Sequence, residues 1–135
     1  MATRSLIAKA LPNGEFQSIY CHYDGYPDYN GKILVQHYTD PEKIDKLLAL
    51  GDLSTLAPEL GDEPHDFNNC PNGICNFYGR DRKETNVDTQ THISLVSLNK
   101  RANACGADYV YLFIDGKWKY SGTTSKIGLD TFSEL

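Results

Sequence analysis

The stretch Tyr109-Val110-Tyr111-Leu112-Phe113-Ile114-Asp115-Gly116-Lys117-Trp118-Lys119-Tyr120 decides the fold of this chain. Its first half is rich in β-branched and aromatic side chains, which favour a strand, and its second half alternates between lysine and aromatic residues. The Asp-Gly pair between the halves is a preferred two-residue hairpin turn. The stretch therefore predicts a β-hairpin close to the C-terminus.

A second hairpin is predicted near the N-terminus. The pair Asn13-Gly14 lies between two strand-like runs, at residues 3–9 and 15–22. Ile7 and Ile19 interrupt the alternation of polar and apolar residues. This interruption indicates that both faces of the sheet are at least partly covered.

Helices are predicted between the two hairpins. Apolar residues recur at helical spacing in 33–38, and Asp40-Pro41-Glu42 is typical of a helix start whose stop is Gly51. Residues 92–104 favour a third helix. The predicted fold class is α+β, with a single antiparallel sheet that has N- and C-terminal hairpins and is covered by about three helices.

The chain is predicted to form one domain over residues 1–135, because its length and its 40% apolar content suffice for one packed core. Within it, residues 57–75 are rich in Pro, Gly, Asp and Asn and predict a long surface loop. Such a loop is often functional, as a lid or a partner-binding segment, or it is an ornament. Residues 76–79 predict a short strand, and the charged run 80–84 is interpreted as extended.

Composition excludes several classes of protein. The formal net charge of -5 argues against a general nucleic-acid binder, which carries an excess of Lys and Arg. No apolar run reaches the roughly 18 residues that a membrane span needs, and residues 1–11 lack the apolar block of a signal peptide. We therefore expect no membrane partner and a cytoplasmic location.

Four cysteines leave three interpretations open. Cys70 and Cys75 are separated by a Pro- and Gly-containing spacer with His65 upstream, so a zinc site is conceivable, as is a disulfide. The other Cys and His residues lack the spacing of zinc ligands, and ordinary reduced thiols are the third interpretation. We predict no metal site and no cofactor, with Cys70 and Cys75 as the only zinc candidates.

The segment from Ser18 to Pro27 concentrates tyrosines around one Gly and one Pro and predicts a binding surface or a rigid turn. If residues 80–82 are extended, Arg80 and Arg82 share one face and can grip a phosphate or carboxylate. The alternative is a salt-bridged face that involves Asp81 or Glu84. The candidate ligand-binding residues are Tyr20, His22, Tyr23, Asp24, Tyr26, Arg80 and Arg82.

No catalytic residue is predicted. Adjacent residues in a strand point to opposite faces of a sheet, so Cys21 and His22 do not predict a nucleophile and base pair. A small hydrolase that uses Asp24, His22 or Asp81 stays open as an alternative, and whether the chain is an enzyme is uncertain.

Several segments together resemble a family of small phage and prophage accessory proteins: residues 1–5, 50–54, 80–82 and 109–113, and above all Ser18-Ile19-Tyr20-Cys21-His22-Tyr23-Asp24-Gly25-Tyr26-Pro27. The resemblance covers most of the chain except residues 59–75. Members usually carry Trp where Tyr23 stands and often His where Gly79 stands. The family has no established reaction.

The resemblance implies an accessory phage product that acts inside an infected bacterium. The resulting hypothesis is a non-enzymatic counter-defence protein that binds and sequesters a host immune component. That component is either an anionic nucleotide signal or a defence protein, which the acidic residues of the 57–75 loop would meet through charge. A structural or assembly factor that forms a homo-oligomer is the remaining alternative.

Overall fold

Eight strands and four α-helices make up the part of the chain that the computed structural model describes, which is residues 2–123 and 127–135. The strands are β1 (Ser5–Ala10), β2 (Phe16–Cys21), β3 (Leu53–Thr55), β4 (Asn76–Phe77), β5 (Gln90–His92), β6 (Tyr109–Ile114), β7 (Lys117–Gly122) and β8 (Ser133–Glu134). The helices are α1 (Lys32–His37), α2 (Pro41–Ala49), α3 (Tyr78–Arg82) and α4 (Leu95–Ala104).

The strands form one mixed sheet in the order β4-β3-β2-β1-β6-β7-β8, and β5 pairs with β2. The α+β class is confirmed, but the expectation of a purely antiparallel sheet is wrong. β1 pairs parallel with β6, and β2 pairs parallel with β3. The physical reason is that long helical connections precede β3 and β6, and such crossovers let a strand return in the same direction as its neighbour.

Both predicted hairpins are present. β1 and β2 are antiparallel, and in their turn Leu11 N–H donates to the Glu15 carbonyl and Gly14 N–H donates to the Leu11 carbonyl, with Gly14 at a φ of 87°. β6 and β7 are joined by Asp115 and Gly116, whose φ values of 54° and 74° are those of the mirror-image turn that suits a twisted hairpin. Local turn chemistry therefore fixes these two units.

The sheet is covered on both faces. Alternate residues of β1 point to opposite sides: Ile7 packs with the apolar residues of α1 and α2, whereas Leu6 and Ala8 pack with Leu98 and Ala102 of α4. Asp40 begins α2 by accepting a hydrogen bond from the Glu42 N–H, as its position before Pro41 predicts. One face thus carries two helices and the other carries α4.

The charged run after β4 is the second correction to the prediction. It forms the short helix α3 rather than an extended segment, so Arg80 and Arg82 do not lie on one face in the way that alternation along a strand would place them. The 57–75 segment contains a single helical turn at Phe67–Asn69, and its two ends are joined by hydrogen bonds from Glu59 and Cys75. In the described ranges no helix has the length and apolar character needed to cross a membrane.

Candidate functional site

Three of the predicted ligand-binding residues form an aromatic row that begins in β2 with Tyr20 and continues past its end. The Tyr20 hydroxyl lies 2.7 Å from Nδ1 of His22, and the edge of the His22 ring meets the Tyr23 ring with centroids 4.5 Å apart. Burial, reinforced by the positive charge of Arg4, lowers the pKa of His22. His22 is therefore a neutral hydrogen-bonding group near pH 7.

The other two predicted residues of this segment, Asp24 and Tyr26, belong to a turn whose backbone is held by hydrogen bonds from Asn30 and Tyr111. Asp24 has the left-handed φ of 58°, and its carbonyl oxygen accepts a hydrogen bond of 3.3 Å from Asn30 N–H. The buried Tyr111 hydroxyl donates to the Gly25 carbonyl at 2.6 Å. Tyr26 faces Tyr29, with ring centroids 6.1 Å apart, and does not join the row.

Arg80 is a structural residue. Its guanidinium pairs with the buried Asp81 carboxylate at 2.9 Å, and it donates to the carbonyl oxygens of Leu60, Gly61 and Cys75. These contacts use the guanidinium to hold the 57–75 segment against α3. A ligand role for Arg80 would require these bonds to break, so the geometry disfavours a phosphate grip at this residue, which stays a prediction.

Arg82 has a similar role at the surface. It pairs with Glu84, as the alternative of a salt-bridged face predicts, and its guanidinium carbon lies 4.4 Å from the centroid of the Phe67 ring and 5.0 Å from that of Tyr78. The two arginines and the tyrosine segment therefore do not assemble into one site. The physical reason is that the short helix turns each guanidinium toward partners within its own neighbourhood.

The zinc candidates have other partners. Cys75 is buried and lies 3.2 Å from the Tyr38 hydroxyl, whereas the Cys70 thiol donates to the Ile74 carbonyl. His65 Nε2 lies 2.8 Å from Asn76 Oδ1. Within residues 2–123 and 127–135, no group of three or more His, Cys, Asp or Glu side chains is arranged to hold a metal ion, and all four cysteines are free thiols.

A cleft of about 610 Å³ opens between the sheet and α4, and we call it the α4 cleft. It was not predicted as a site. The residues that carry its chemistry are Tyr20, Asp52, His92, Ser97, Lys100 and Arg101. Only Tyr20 is shared with the predicted set. A signal was present in the sequence, because Ser97, Lys100 and Arg101 follow helical spacing and so share one polar face of α4.

A chain of hydrogen bonds forms the floor of the α4 cleft. Arg101 donates to the Ser18 hydroxyl at 2.9 Å and to Asp52 at 2.9 Å. The Ser18 hydroxyl lies 2.8 Å from His92 Nε2, and His92 Nδ1 lies 3.2 Å from the Ser97 hydroxyl. Because the Ser18 hydroxyl oxygen already accepts from Arg101, we assign the Ser18 hydroxyl as the donor to Nε2 of His92. The ring proton of His92 is then on Nδ1, which donates to the Ser97 hydroxyl.

One imidazole and one carboxylate of the floor, those of His92 and Asp52, have shifted pKa values. Burial and the nearby Arg101 cation both lower the pKa of His92. Burial also raises the pKa of Asp52 against the opposing effects of the Tyr20 N–H and Arg101. His92 is therefore neutral near pH 7, and the Arg101 charge works against its protonation.

Positive charge is in excess around the α4 cleft. Lys100 is exposed, Arg101 lines the wall, and Arg4 is close enough for its charge to act on Tyr20. Arg4 Nη1 also lies against Gly106 at the end of α4, and its buried Nε finds no hydrogen-bond acceptor among the described residues. Lys100 and Arg101 thus line the cleft together with one carboxylate, Asp52, which pairs with Arg101 at 2.9 Å.

No protein-family model, curated protein or solved structure matches this chain. The geometry of the α4 cleft is therefore the main guide to function. Its cationic wall, tyrosine ring, hydroxyl and imidazole groups suit the binding of an anion that also carries hydrogen-bonding and ring portions.

Proposed function

We propose that this chain is a non-enzymatic binding protein that sequesters a small anionic ligand of the nucleotide class in the α4 cleft. The observation that carries the proposal is the positive charge at the α4 cleft in a chain whose net charge is -5: Lys100 is exposed at the cleft, and the Arg4 charge acts on its lining residue Tyr20. Arg101 also lines the cleft, but its charge is paired with Asp52 at 2.9 Å, so it positions the floor and Lys100 is the cation open to a ligand. A local excess of cations on an acidic protein attracts an anion to that place and not to the surface in general.

The dimensions and the lining of the cleft support this ligand class. Small-molecule sites commonly have volumes of about 300 to 1,000 Å³, and the α4 cleft has about 610 Å³. The Tyr20 ring can contact a base or sugar, and Gln90 and Ser97 offer an amide and a hydroxyl for hydrogen bonds. Lys100 is the exposed cation that a phosphate reaches first.

The polar floor favours binding without turnover. A serine and histidine pair, Ser97 and His92, is present, but the group behind the imidazole is the Ser18 hydroxyl and not a carboxylate. The Arg101 cation further opposes the imidazolium that a general base must form. The alternative hydrolase loses support as well, because Asp81 is buried in its pair with Arg80.

The biological role that we propose follows from the resemblance to small phage and prophage accessory proteins. Such a product would act in an infected bacterium, where removal of a nucleotide signal from solution blunts a host defence. Sequestration needs only tight binding and a sufficient amount of protein, and the α4 cleft provides a binding surface for it.

The test is a thermal and calorimetric titration with mono-, di- and cyclic nucleotides, followed by mass spectrometry of the released ligand. A hundredfold excess over the dissociation constant should stabilise the fold by about 2.7 kcal/mol. Lys100→Gln should abolish most of this gain, whereas Lys46→Gln, an exposed lysine on α2, should retain it.

Three outcomes would contradict the proposal. Stabilisation that Lys100→Gln leaves intact would place the ligand elsewhere. Recovery of a chemically altered nucleotide would make the chain an enzyme. No stabilisation by any nucleotide, with both variants folded, would reject the ligand class.

A further inference from the structure

A second surface lies outside the α4 cleft and consists of three exposed tyrosines in one short segment. Tyr23 is 46% exposed, and Tyr26 and Tyr29 are each 40% exposed. Together with Asp24 and Asp28, which lie between them in the sequence, we call them the tyrosine surface. The Tyr26 and Tyr29 rings face each other with centroids 6.1 Å apart, and the Tyr23 ring lies beside them in the sequence, against His22. The aromatic rings are large, and exposing them to water is unfavourable unless a partner covers them.

The backbone beneath the tyrosine surface is fixed by buried groups. Gly25 N–H donates to the Thr3 carbonyl at 2.8 Å, and the Gly25 carbonyl accepts from Tyr111. Asn30 is fully buried and holds the carbonyl of Asp24, whose left-handed conformation is uncommon for a residue other than glycine. The backbone that carries the exposed rings is therefore preorganised, so binding has to order only the side chains.

The charge of the tyrosine surface is negative. Residues 23–30 contain two aspartates and no lysine or arginine. Lys32 lines a pocket together with Asp28, and the Arg4 charge acts on His22, so Asp24 is the carboxylate of this surface on which the inference mainly depends. The Asp24 charge reaches Tyr29, because after burial it has the largest effect in raising the pKa of that hydroxyl. The backbone places them in one turn as well, because Asn30 N–H donates to the Asp24 carbonyl at 3.3 Å and Tyr29 N–H donates to the Tyr26 carbonyl at 3.0 Å.

We infer that the tyrosine surface is a docking site for a basic protein segment that presents arginine side chains. A guanidinium stacks on a tyrosine ring and at the same time pairs with a carboxylate, and this surface offers both within one turn. Tyrosine and arginine are also enriched among the residues that dominate protein interfaces. Phosphate groups would meet the two aspartates, which disfavours a nucleic acid on this surface. The inference does not depend on the ligand of the α4 cleft.

The experiment is an NMR titration of the ¹⁵N-labelled protein with a peptide that alternates arginine and glycine. The amide signals of residues 22–31 should shift with a common saturation curve. A peptide with lysine in place of arginine should bind more weakly, because the ammonium group does not stack as a plane. A glutamate peptide should not bind.

Two variants and one control make the test specific. Tyr26→Ala with Tyr29→Ala removes two rings and should weaken binding about tenfold. Asp24→Asn removes one charge, keeps a residue that tolerates the left-handed conformation, and should weaken binding about twofold to threefold at low salt. Ile93→Ala changes an exposed apolar residue elsewhere and should have no effect.

The inference is overturned if the arginine peptide binds both tyrosine-deficient and unmodified protein equally, since the attraction is then one of general charge. It is also overturned if the shifted signals lie outside residues 22–31. Sedimentation at several concentrations gives a further decisive result: a dimer that the double tyrosine variant abolishes would make a second copy of this chain the occupant.

Discussion

Replacement of Arg80 by methionine is the perturbation that separates a structural arginine from a ligand-binding one. The Arg80 guanidinium makes two hydrogen bonds to Asp81, at 2.9 and 3.2 Å, and three to backbone carbonyls. The side chain of Asp81 is 0% exposed and that of Arg80 is 10% exposed. Methionine retains much of the aliphatic volume but removes every one of these donors.

The expected loss of unfolding free energy follows from the burial of Asp81. After the substitution, its carboxylate stays buried with the N–H groups of Phe77 and His65 but without a guanidinium. Breaking a buried pair by removal of one partner costs about 3 to 5 kcal/mol. For a chain of this size, the melting temperature should fall by about 10 to 15 °C.

The unfolding free energy should depend on pH in opposite directions in the unmodified protein and in Arg80→Met. In the unmodified protein, burial raises the pKa of Asp81, but the Arg80 hydrogen bonds and the Phe77 and His65 N–H groups outweigh burial and lower it overall. Asp81 therefore stabilises the fold above its unfolded pKa, and this contribution is lost as the pH falls through the folded pKa. In Arg80→Met we expect burial to prevail and the folded pKa to rise, so stability is gained as the pH falls from 7 through that value.

Urea unfolding between pH 4 and pH 8 measures both effects. The stability gap between the unmodified protein and Arg80→Met should narrow as the pH falls. Arg80→Met combined with Asp81→Asn removes the carboxylate and should therefore remove this pH dependence. Arg82→Met is the matched control and should cost about 1 kcal/mol or less, because its pair with Glu84 is exposed.

Two results would refute the reasoning on Arg80. The first is a stability difference between the unmodified protein and Arg80→Met that does not change with pH and stays as large when Asp81→Asn is added. This result would mean that the Asp81 carboxylate is not the cause of the loss of stability. A fully stable Arg80→Met protein that has lost nucleotide binding would return Arg80 to the ligand site.

Three further predictions concern the core and the turn. Gly25→Ala should lower the unfolding free energy by about 2 kcal/mol, because its new Cβ would lie 2.8 Å from a backbone carbonyl oxygen, whereas Gly122→Ala, with nothing within 4 Å of its Cβ, should stay within about 0.5 kcal/mol in the same urea assay. Tyr111→Phe should cost about 1 to 2 kcal/mol in thermal unfolding, since it leaves the Gly25 carbonyl without its donor. The third prediction concerns alkylation at pH 8 followed by mass spectrometry. Cys21 should stay unmodified in the folded protein, because burial raises its pKa to about 12, and the less buried Cys70 should react first. Modification of Cys21 at the same rate as Cys70 would contradict this prediction.

The parts of the fold that the sequence predicted are those that neighbouring residues decide. Asp115-Gly116 and Asn13-Gly14 determine their hairpins through backbone conformations that few residues adopt. Asp40 and Pro41 determine the start of α2 through a side-chain hydrogen bond and a fixed φ. Each of these preferences acts over a few residues and needs no distant contact.

The interpretation of residues 80–82 as an extended segment failed because local preferences do not decide their conformation. A run of five charged residues has no local preference strong enough to distinguish an extended segment from one helical turn. The choice came from partners that are distant in sequence, since Arg80 is bound to Leu60 and Gly61, and Arg82 lies over Phe67. Tertiary contacts overrode a weak local signal.

The amino-acid sequence by itself determined the α+β class, the two terminal hairpins and the helix from Pro41 to Ala49. Only the tertiary structure decided that β1 runs parallel to β6 and that His92 meets Ser18, 74 residues away, beneath Arg101. Turn and capping preferences are local free energies of a few adjacent dihedral angles. Strand order and the α4 cleft instead depend on which distant surfaces bury the most apolar area together, and that is a property of the whole packed chain.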